Sequence, residues 1–267
     1  MRDPGLDIFQ QTLEGLEQGL SVRHIASFDL KCCSIDDQVA AVCDDRRFRN
    51  FDQAPVERDG RIVGVLEFSN RGKSGTVVEH MRPLDDSMLV SAAEPLASYV
   101  RHAGDSDYRL VLQGISIRGI VTRTDLLKLP VRLFIFGLVT HLEAVMSRII
   151  RRYYPEPELW LPFLTDDRQE RVLEKVQKRD KPLLELAEFC DKRTIVHQHF
   201  NLSNKFESDL KHVEKLRNTV AHGSSYAETE EELQAFVEYV RVAERWIKDL
   251  KERIPPASED IDQPNQV

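Results

Sequence analysis

Apolar residues recur at three- and four-residue steps through most of the second half of the chain, which is the period of an amphipathic helix. The longest stripe predicts a helix that begins near Pro130, because proline is favoured in a helix's first turn. Its members are Phe134, Leu138, Leu142, Val145, Ile149 and Tyr153. Short connections between this stripe and those that follow favour an antiparallel helical bundle.

Four shorter stripes continue the pattern, and the last follows the capping box that begins at Thr229. They consist of Val172 and Val176 after Asp166 and Asp167; Leu183, Leu186, Ala187 and Cys190; Leu210, Val213, Val220 and Ala221, closed by Gly223; and Leu233, Phe236, Val240, Ala243, Ile247 and Leu250. We therefore predict an all-α bundle over residues 130–254. The proline-rich, acidic segment 255–267 has no apolar period and is predicted to be disordered.

The first half contains an internal repeat of about 55 residues. Residues 22–26 align with 78–82 at an offset of 56, and residues 60–66 align with 115–121 at an offset of 55. Each copy predicts a β-α-β-β-α unit, with a hairpin turn at Asp59-Gly60 in the first. A unit this small cannot close its own core, so the two copies are expected to pair and to leave a cleft between them. The fold class is α+β.

The charge balance restricts the kind of partner. The net charge of -8 is spread over both halves: residues 1–130 hold 16 Lys and Arg against 20 Asp and Glu, and residues 131–267 hold 21 against 25. A broad nucleic-acid surface needs a cationic excess, so any RNA contact must be a local cleft. Four cysteines without Cys-x-x-Cys spacing are expected to be reduced thiols.

We predict a cytoplasmic protein without a membrane segment. The N-terminus lacks the apolar core of a signal peptide. The most apolar stretch contains Arg132, His141 and Glu143, which are costly in lipid.

Thr122 and Asp125 carry the first resemblance. The segment 119–126, Gly-Ile-Val-Thr-Arg-Thr-Asp-Leu, resembles the CBS-domain signature, in which Thr or Ser follows the final strand and Asp comes three residues later. The resemblance covers residues 20–129 and implies a tandem CBS pair, assigned to 1–129, that binds an adenosine compound: AMP, ADP, ATP or S-adenosylmethionine. Asp125 would accept the ribose hydroxyls, Thr122 and the helix N-terminus would face phosphate, and Arg123 would add charge.

The first copy departs from this pattern, with Glu67 and Asn70 at the two motif positions. Because Glu67 would repel phosphate, we expect only the Thr122/Asp125 site to bind a nucleotide. Two alternatives stay open. Thr122 and Asp125 serve equally well as a helix N-cap without a ligand, and some CBS pairs act only as dimerisation platforms.

Arg217, Asn218 and His222 carry the second resemblance. The segment 216–223, Leu-Arg-Asn-Thr-Val-Ala-His-Gly, is similar to the Arg-x-x-x-x-His motif of HEPN domains, helical bundles of which many are metal-independent endoribonucleases in toxins and antiviral or stress defence. The resemblance covers about residues 130–253. It implies a homodimer or higher homo-oligomer in which two bundles bring two Arg and two His into one cleft, with RNA as substrate.

Helix geometry limits how Arg217 and His222 can meet. Five residues at about 100° each set them about 140° apart, so they can converge only where the helix ends, at Gly223. His222 would move a proton during attack of an RNA 2′-hydroxyl on its phosphate, Arg217 would stabilise the phosphoryl charge, and Asn218 would position phosphate or the imidazole. A Glu143 contact would orient Arg217, although Glu143 could instead pair locally with His141.

Other readings of the helical half remain open. The bundle could be a non-catalytic module that only dimerises or docks a partner, or an unrelated helical domain. No metal site is predicted: His197 and His199 are interpreted as solvated loop residues without nearby carboxylate or thiolate ligands. The basic end of the first bundle helix, with Tyr153 and Tyr154, is either a solvated helix end or an RNA-facing patch.

These features together predict a nucleotide-sensing regulator that controls a metal-independent endoribonuclease. The direct junction at Lys128, Leu129 and Pro130 would carry a nucleotide-dependent change from the CBS pair to the first bundle helix, provided that nucleotide binds two states with different affinity.

Overall fold

The computed structural model describes residues 4–70, 72–178 and 182–254. It contains two compact units, with the divisions at Gly19/Leu20 and Lys128/Leu129. We call Leu20–Lys128 the repeat unit, and we call the residues up to Gly19 together with those from Leu129 onward the helical unit. The chain is a mixed α+β protein with sheets in the repeat unit and helices after it. The predicted tail, residues 255–267, lies outside the described residues.

The N-terminal helix α1 (Pro4–Gly19) belongs to the helical unit, which corrects the assignment of residues 1–129 to the tandem repeat. Leu13 and Leu16 of α1 lie against Gly137 of the helical unit, where a β-carbon would approach their methyl carbons to 3.5 and 3.2 Å. The physical reason is amphipathicity: α1 has an apolar face, and the glycine allows that face to approach closely.

The repeat unit contains the predicted pair of β-α-β-β units. The first copy consists of a 3₁₀ helix (Val22–His24), β1 (Cys33–Ser34), α2 (Val39–Asp44), β2 (Gln53–Arg58), β3 (Arg61–Glu67) and a second 3₁₀ helix (Phe68–Asn70). The second consists of α3 (Val77–His80), β4 (Arg82–Pro83), β5 (Leu89–Ser91), α4 (Leu96–Arg101), β6 (Tyr108–Gln113), β7 (Ser116–Thr122) and a 3₁₀ helix (Arg123–Leu127). The helix predicted after the last strand of each copy is thus a 3₁₀ helix.

The two copies pair their strands in the same way. The sheet orders are β1-β2-β3-β4 and β5-β6-β7. The pairs β1/β2 and β5/β6 are parallel, and the hairpins β2/β3 and β6/β7 are antiparallel. Both hairpins shift register at equivalent points, after Val56 and after Val111. Asp59 and Gly60 both have positive φ, as the predicted hairpin turn requires. The internal repeat therefore extends to the irregularities of the hydrogen-bond ladder.

Gly64 and Gly119 occupy equivalent places in β3 and β7 because another backbone segment crosses each of them. A β-carbon would lie 2.5 Å from the carbonyl oxygen of Arg82 at Gly64, and 2.9 Å from that of Ser27 at Gly119. Contacts this short exclude any larger residue without a backbone shift. A small core then joins the copies, since Val65 of β3 packs with Met88, Tyr108 and Leu110 of the second copy.

In its described residues the helical unit contains seven further α-helices after α1. They are α5 (Leu129–Tyr153), α6 (Pro157–Trp160), α7 (Asp166–Lys178), α8 (Leu183–Leu186), α9 (Phe189–His199), α10 (Asn204–Ala221) and α11 (Glu230–Glu252). The predicted capping box begins α11, where the Glu232 N–H donates to the Thr229 hydroxyl at 3.1 Å. Helix α5 is central and packs against α1, α9, α10 and α11.

Helix α5 is more buried than a single apolar stripe predicts. The predicted stripe from Phe134 to Ile149 faces the core, but Ile135, Val139 and Ile150 on other faces are buried as well. The helix is long and apolar enough to cross a membrane, yet 61% of its most apolar window is buried within the fold. This burial is what the central helix of a bundle requires.

The predicted helix around Leu183 to Cys190 is two helices. Ala187 is extended and Glu188 is the N-cap residue of α9, with its N–H donating to the Asp191 carboxylate at 2.8 Å. Arg168 of α7 pairs with both acids, at 3.0 Å to Glu188 and 2.8 Å to Asp191. Capping and ion pairing favour a break that the apolar spacing does not reveal.

Candidate functional site

Asp125 of the predicted nucleotide motif is buried, and its carboxylate is already hydrogen-bonded. Oδ2 accepts from the Thr122 N–H at 2.7 Å and from the Thr122 hydroxyl at 3.1 Å. Oδ1 lies 2.6 Å from the Lys128 ammonium, which also donates to the carbonyl oxygen of Ile25. In this state the motif caps the 3₁₀ helix, and a ribose hydroxyl could reach Oδ1 only by displacing or joining Lys128.

Arg123 is also held inside the repeat unit. Its Nε donates to the Asp107 carboxylate at 2.8 Å, and a second guanidinium nitrogen contacts the same oxygen. The Arg123 side chain is 24% exposed, whereas that of Asp107 is 66% exposed. The guanidinium is therefore oriented by one accessible carboxylate that a ligand phosphate could replace.

A cleft of about 580 Å³ opens in the repeat unit where the first copy carries its altered motif. Its lining residues are Arg49, Asn50, Phe51, Asp52, Gln53, Glu67, Phe68, Ser69, Asp107 and Tyr108. Gln53 pairs with Glu67 across the β2/β3 ladder, and Tyr108 pairs with Thr122 across the β6/β7 ladder. The cleft therefore lies at the edge where equivalent strand ends from both copies meet, and Thr122 is at that edge.

Tyr108 lines this cleft and has a buried hydroxyl. Only 6% of the residue is exposed, and its hydroxyl is buried without a hydrogen-bond partner among the described residues. Burial raises the pKa of this phenol, and Glu67, Asp85 and Asp107 raise it further against the opposing effect of Arg82. An unpaired buried hydroxyl costs free energy, which a ligand could recover by bonding to it.

The predicted catalytic residues lie near the end of α10. His222 is the C-cap residue, and Gly223 follows with φ of +70°. The Ser224 N–H donates to the Thr219 carbonyl oxygen at 3.1 Å, so the backbone itself closes the helix. His222 is exposed, and within the described parts of the chain its imidazole makes no hydrogen bond. This leaves the imidazole available for proton transfer.

A second cleft of about 420 Å³ lies along this end of α10. It is lined by Lys211, Glu214, Lys215, Asn218, Thr219, His222 and Ser224. Lys211, Lys215, Asn218 and His222 fall at four-, three- and four-residue steps, so they share one helix face. The structure thus brings Asn218 and His222 together beside two lysines.

Arg217 is not among the residues that line this cleft. Its guanidinium lies 3.5 Å from Glu143 of α5, the contact that the sequence suggested. The other Glu143 oxygen lies 2.6 Å from the ammonium of Lys192, which comes from α9 and is buried. Within one chain, Arg217 is therefore oriented toward α5 and His222 toward the cleft.

The histidines at the end of α9 and the tyrosines at the end of α5 lie close together. His197 and His199 are not loop residues: both belong to the last turn of α9 and are half-buried. The Tyr154 hydroxyl lies 2.8 Å from His199 Nδ1, and the Tyr153 ring lies 4.2 Å from the same imidazole. Tyr153 and Tyr154 therefore belong to an aromatic cluster in which both rings contact His199.

Sequence reasoning missed Tyr108 and Lys192 as site residues. Tyr108 aligns with Gln53 at the start of the equivalent strand, and that alignment alone could have indicated the strand edge. No local signal marks Lys192, which is buried by the meeting of three helices. Within residues 4–70, 72–178 and 182–254, no group of three or more His, Cys, Asp or Glu side chains could hold a metal ion.

Comparison with solved structures finds CBS-domain proteins. The CBS domain of a bacterial CNNM/CorC family Mg²⁺ transporter in complex with ATP is 18% identical over 46% of this chain and 94% of that chain, with a TM-score of 0.36. The CBS domains of a transcriptional regulator from Streptococcus pneumoniae are 22% identical over 40% of this chain and 95% of that one, with a TM-score of 0.34.

A third similar structure, CBSX2 in complex with AMP, is 16% identical over 43% of this chain and 98% of that chain, with a TM-score of 0.36. No family model and no curated protein matches the sequence. Because the identities and TM-scores are low, these likenesses do not decide the ligand, which is inferred from the residues of this chain.

Proposed function

We propose that the chain is a regulator that senses an adenosine nucleotide in the repeat unit. The observation that carries this proposal is a cleft of about 580 Å³ lined by Tyr108, whose buried hydroxyl has no hydrogen-bond partner among the described residues. A volume of several hundred Å³ is typical of small-ligand sites. The cleft also offers the exposed ring of Phe51 for a base and the Glu67 carboxylate for ribose hydroxyls.

The phosphates are expected to lie toward Thr122 and Arg123. Thr122 shares the strand edge with Tyr108, and the Arg123 guanidinium is held by the accessible Asp107 carboxylate. A phosphate that replaced Asp107 on Arg123 would form a charge-assisted hydrogen bond. Arg49 supplies a second cation at the cleft.

The test is calorimetric titration of the full chain with AMP, ADP, ATP and S-adenosylmethionine. ATP and AMP come first because they are the ligands named for two of the similar structures. Tyr108→Phe should weaken binding about fivefold, since it removes one hydrogen bond. Arg123→Ala should weaken binding most for the nucleotides that carry the most phosphate groups.

Tyr226→Phe is the matched control, because it makes the same change at a buried tyrosine of the helical unit. Failure of every compound to bind the wild type would overturn the proposal. Binding that Asp125→Asn weakens and Tyr108→Phe does not would place the nucleotide at the strand end alone.

A second candidate function, metal-independent cleavage of RNA, is favoured by the cleft at the end of α10. One helix face presents Lys211, Lys215, Asn218 and His222 to solvent. The lysines would attract phosphates, Asn218 would position one, and the free imidazole would accept the proton of a 2′-hydroxyl or donate one to the leaving 5′-oxygen. We propose that Arg217 stabilises the phosphoryl charge, in a cleft completed by a second copy of the chain.

RNA cleavage is tested with labelled single-stranded RNA in EDTA. The wild type should leave 2′,3′-cyclic phosphate ends, and His222→Ala should leave the RNA intact. His212→Ala is the matched control, because His212 is an exposed histidine of the same helix outside the cleft. Intact RNA with the wild type, together with nucleotide binding, would favour a non-catalytic bundle that dimerises or docks a partner.

A further inference from the structure

Three charged side chains from three different helices meet inside the helical unit. Glu143 of α5 receives the Lys192 ammonium of α9 at 2.6 Å on one oxygen and the Arg217 guanidinium of α10 at 3.5 Å on the other. The exposed side-chain fractions are 6% for Lys192, 25% for Glu143 and 32% for Arg217. The lysine is therefore the buried member of the group, and the arginine is its most accessible member.

The two contacts differ in strength. At 2.6 Å the Lys192 contact is a charge-assisted hydrogen bond, whereas 3.5 Å is too long for a good one to Arg217. Within the described residues this contact is the only ion pair of Arg217, and its guanidinium makes no hydrogen bond to the protein. Most of its five N–H donors thus remain available to a ligand.

Lys192 accounts for this weak hold on Arg217. A part-buried carboxylate needs a counter-charge, and a planar guanidinium can bind one through two parallel hydrogen bonds. Without Lys192, the free Glu143 would draw Arg217 into such a pair. With Lys192 in place, the charge of Glu143 is already neutralised at close range.

We infer that Lys192 is a positioning residue that holds the Glu143 carboxylate and so keeps the Arg217 guanidinium available to an RNA phosphate. The inference rests on the proposed action of the helical unit on RNA. It assigns a function to a buried lysine that lies outside the cleft at the end of α10. It also predicts that the effect of Lys192 depends on Glu143.

The test measures binding of a short single-stranded 2′-O-methyl RNA, which lacks the attacking hydroxyl and stays intact. Lys192→Met should weaken binding about tenfold, because Glu143 captures the guanidinium. It should also reduce the slope of log affinity against log salt by about 0.7, the value of one phosphate contact on a single strand. Arg217→Ala should show the same two losses.

The double variant Glu143→Gln/Lys192→Met separates positioning from folding. It removes both charges, so it leaves no buried ion unpaired and should recover wild-type affinity and salt slope within about twofold. A purely structural role of Lys192 predicts no such recovery. If Lys192→Met does not fold, the double variant alone tests the inference. RNA binding by the double variant as weak as that of Arg217→Ala would then overturn the inference.

Lys175→Met is the matched control, since Lys175 also forms a 2.6 Å ion pair, with Glu188, in another part of the bundle. It should bind RNA as the wild type does. If Arg217→Ala binds and cleaves normally, Arg217 does not act on RNA and both the proposed cleavage role and the inference fail. If Arg217→Ala is defective while Lys192→Met is normal, the inference alone fails.

Discussion

The strand end in the repeat unit and the helix end in the helical unit carry the two motifs that the sequence singles out. The motif side chains differ in whether other groups of the protein already bind them. Both oxygens of Asp125 are occupied by groups of the same unit. His222, in contrast, is exposed and makes no hydrogen bond within the described residues. A motif thus fixes where a polar side chain stands, while its remaining partners decide whether a ligand can use it.

Backbone geometry explains the difference. Thr122 is the N-cap residue of the 3₁₀ helix after β7, and Asp125 accepts hydrogen bonds from its N–H and its hydroxyl. At the end of α10, Gly223 in the left-handed region lets backbone N–H groups satisfy the last carbonyls. The chain therefore needs the Asp125 side chain for its fold and leaves His222 free.

The largest expected effect is on stability at Asp125. Asp125→Ala removes two hydrogen bonds and leaves Lys128 without its carboxylate, so it should lower the free energy of unfolding by about 3 kcal/mol. Asp107→Ala, which breaks an accessible ion pair in the same unit, should cost less than about 1 kcal/mol. Urea unfolding measures both, and equal losses would show that Asp125 is not needed for the turn.

Acid should destabilise the helical unit through His141, a buried residue whose Nδ1 has no hydrogen-bond partner within the described chain. Burial, with help from Lys251 and against Glu14, lowers the pKa of His141 from 6.5 to about 4. The unfolded chain therefore binds the proton first, so stability is full above pH 6.5 and is lost as the pH falls toward 4.

His141→Leu tests this assignment. The wild type should lose about 2 kcal/mol of unfolding free energy between pH 7 and pH 5, since each unit of pKa shift is worth about 1.4 kcal/mol. The variant should lose markedly less over that range. Urea unfolding followed by circular dichroism measures both proteins. Equal losses of unfolding free energy in the two would assign the acid sensitivity to other groups.

Tyr108→Phe should have a smaller effect of the opposite sign in the absence of ligand. The hydroxyl is buried and has no partner in the part of the chain that the structure describes, so its removal should stabilise the free repeat unit by up to about 1 kcal/mol. The same variant should respond less to nucleotide in thermal unfolding. A loss of stability without nucleotide would indicate that the hydroxyl is already satisfied in the folded protein.

His222→Ala should change stability least, by less than about 0.5 kcal/mol, because the imidazole is exposed and the helix is closed by backbone bonds. The losses of unfolding free energy in Asp125→Ala and His222→Ala would then differ by about 3 kcal/mol, although both motifs are proposed to contact a ligand. A loss as large as that of Asp125→Ala would show that His222 is also a structural cap.

Regular patterns made much of this fold predictable. The internal repeat predicts both hairpins and their equivalence, and apolar spacing with clear caps predicts α5, α10 and α11. Helix α1 was missed because the first 19 residues were assigned to the repeat, although Leu6, Phe9, Leu13 and Leu16 show helical spacing. The α8/α9 break depends on caps and ion pairs that apolar spacing does not report.

Site residues were predictable only where a local motif marks them. Thr122, Asp125, Asn218 and His222 stand at the strand and helix ends that their motifs indicate. The buried hydroxyl of Tyr108 and the buried ammonium of Lys192 depend on contacts between segments distant in sequence, which the local pattern does not encode. Arg217 was identified only as one of two possible partners of Glu143, the other being His141.

The rate of RNA cleavage in EDTA as a function of ATP or AMP concentration tests most directly whether the repeat unit controls the helical unit. Nucleotide should change the wild-type rate, Tyr108→Phe should need about fivefold more nucleotide for the same change, and His222→Ala should not cleave. A wild-type rate that stays constant while nucleotide binds would contradict the coupling between the two units.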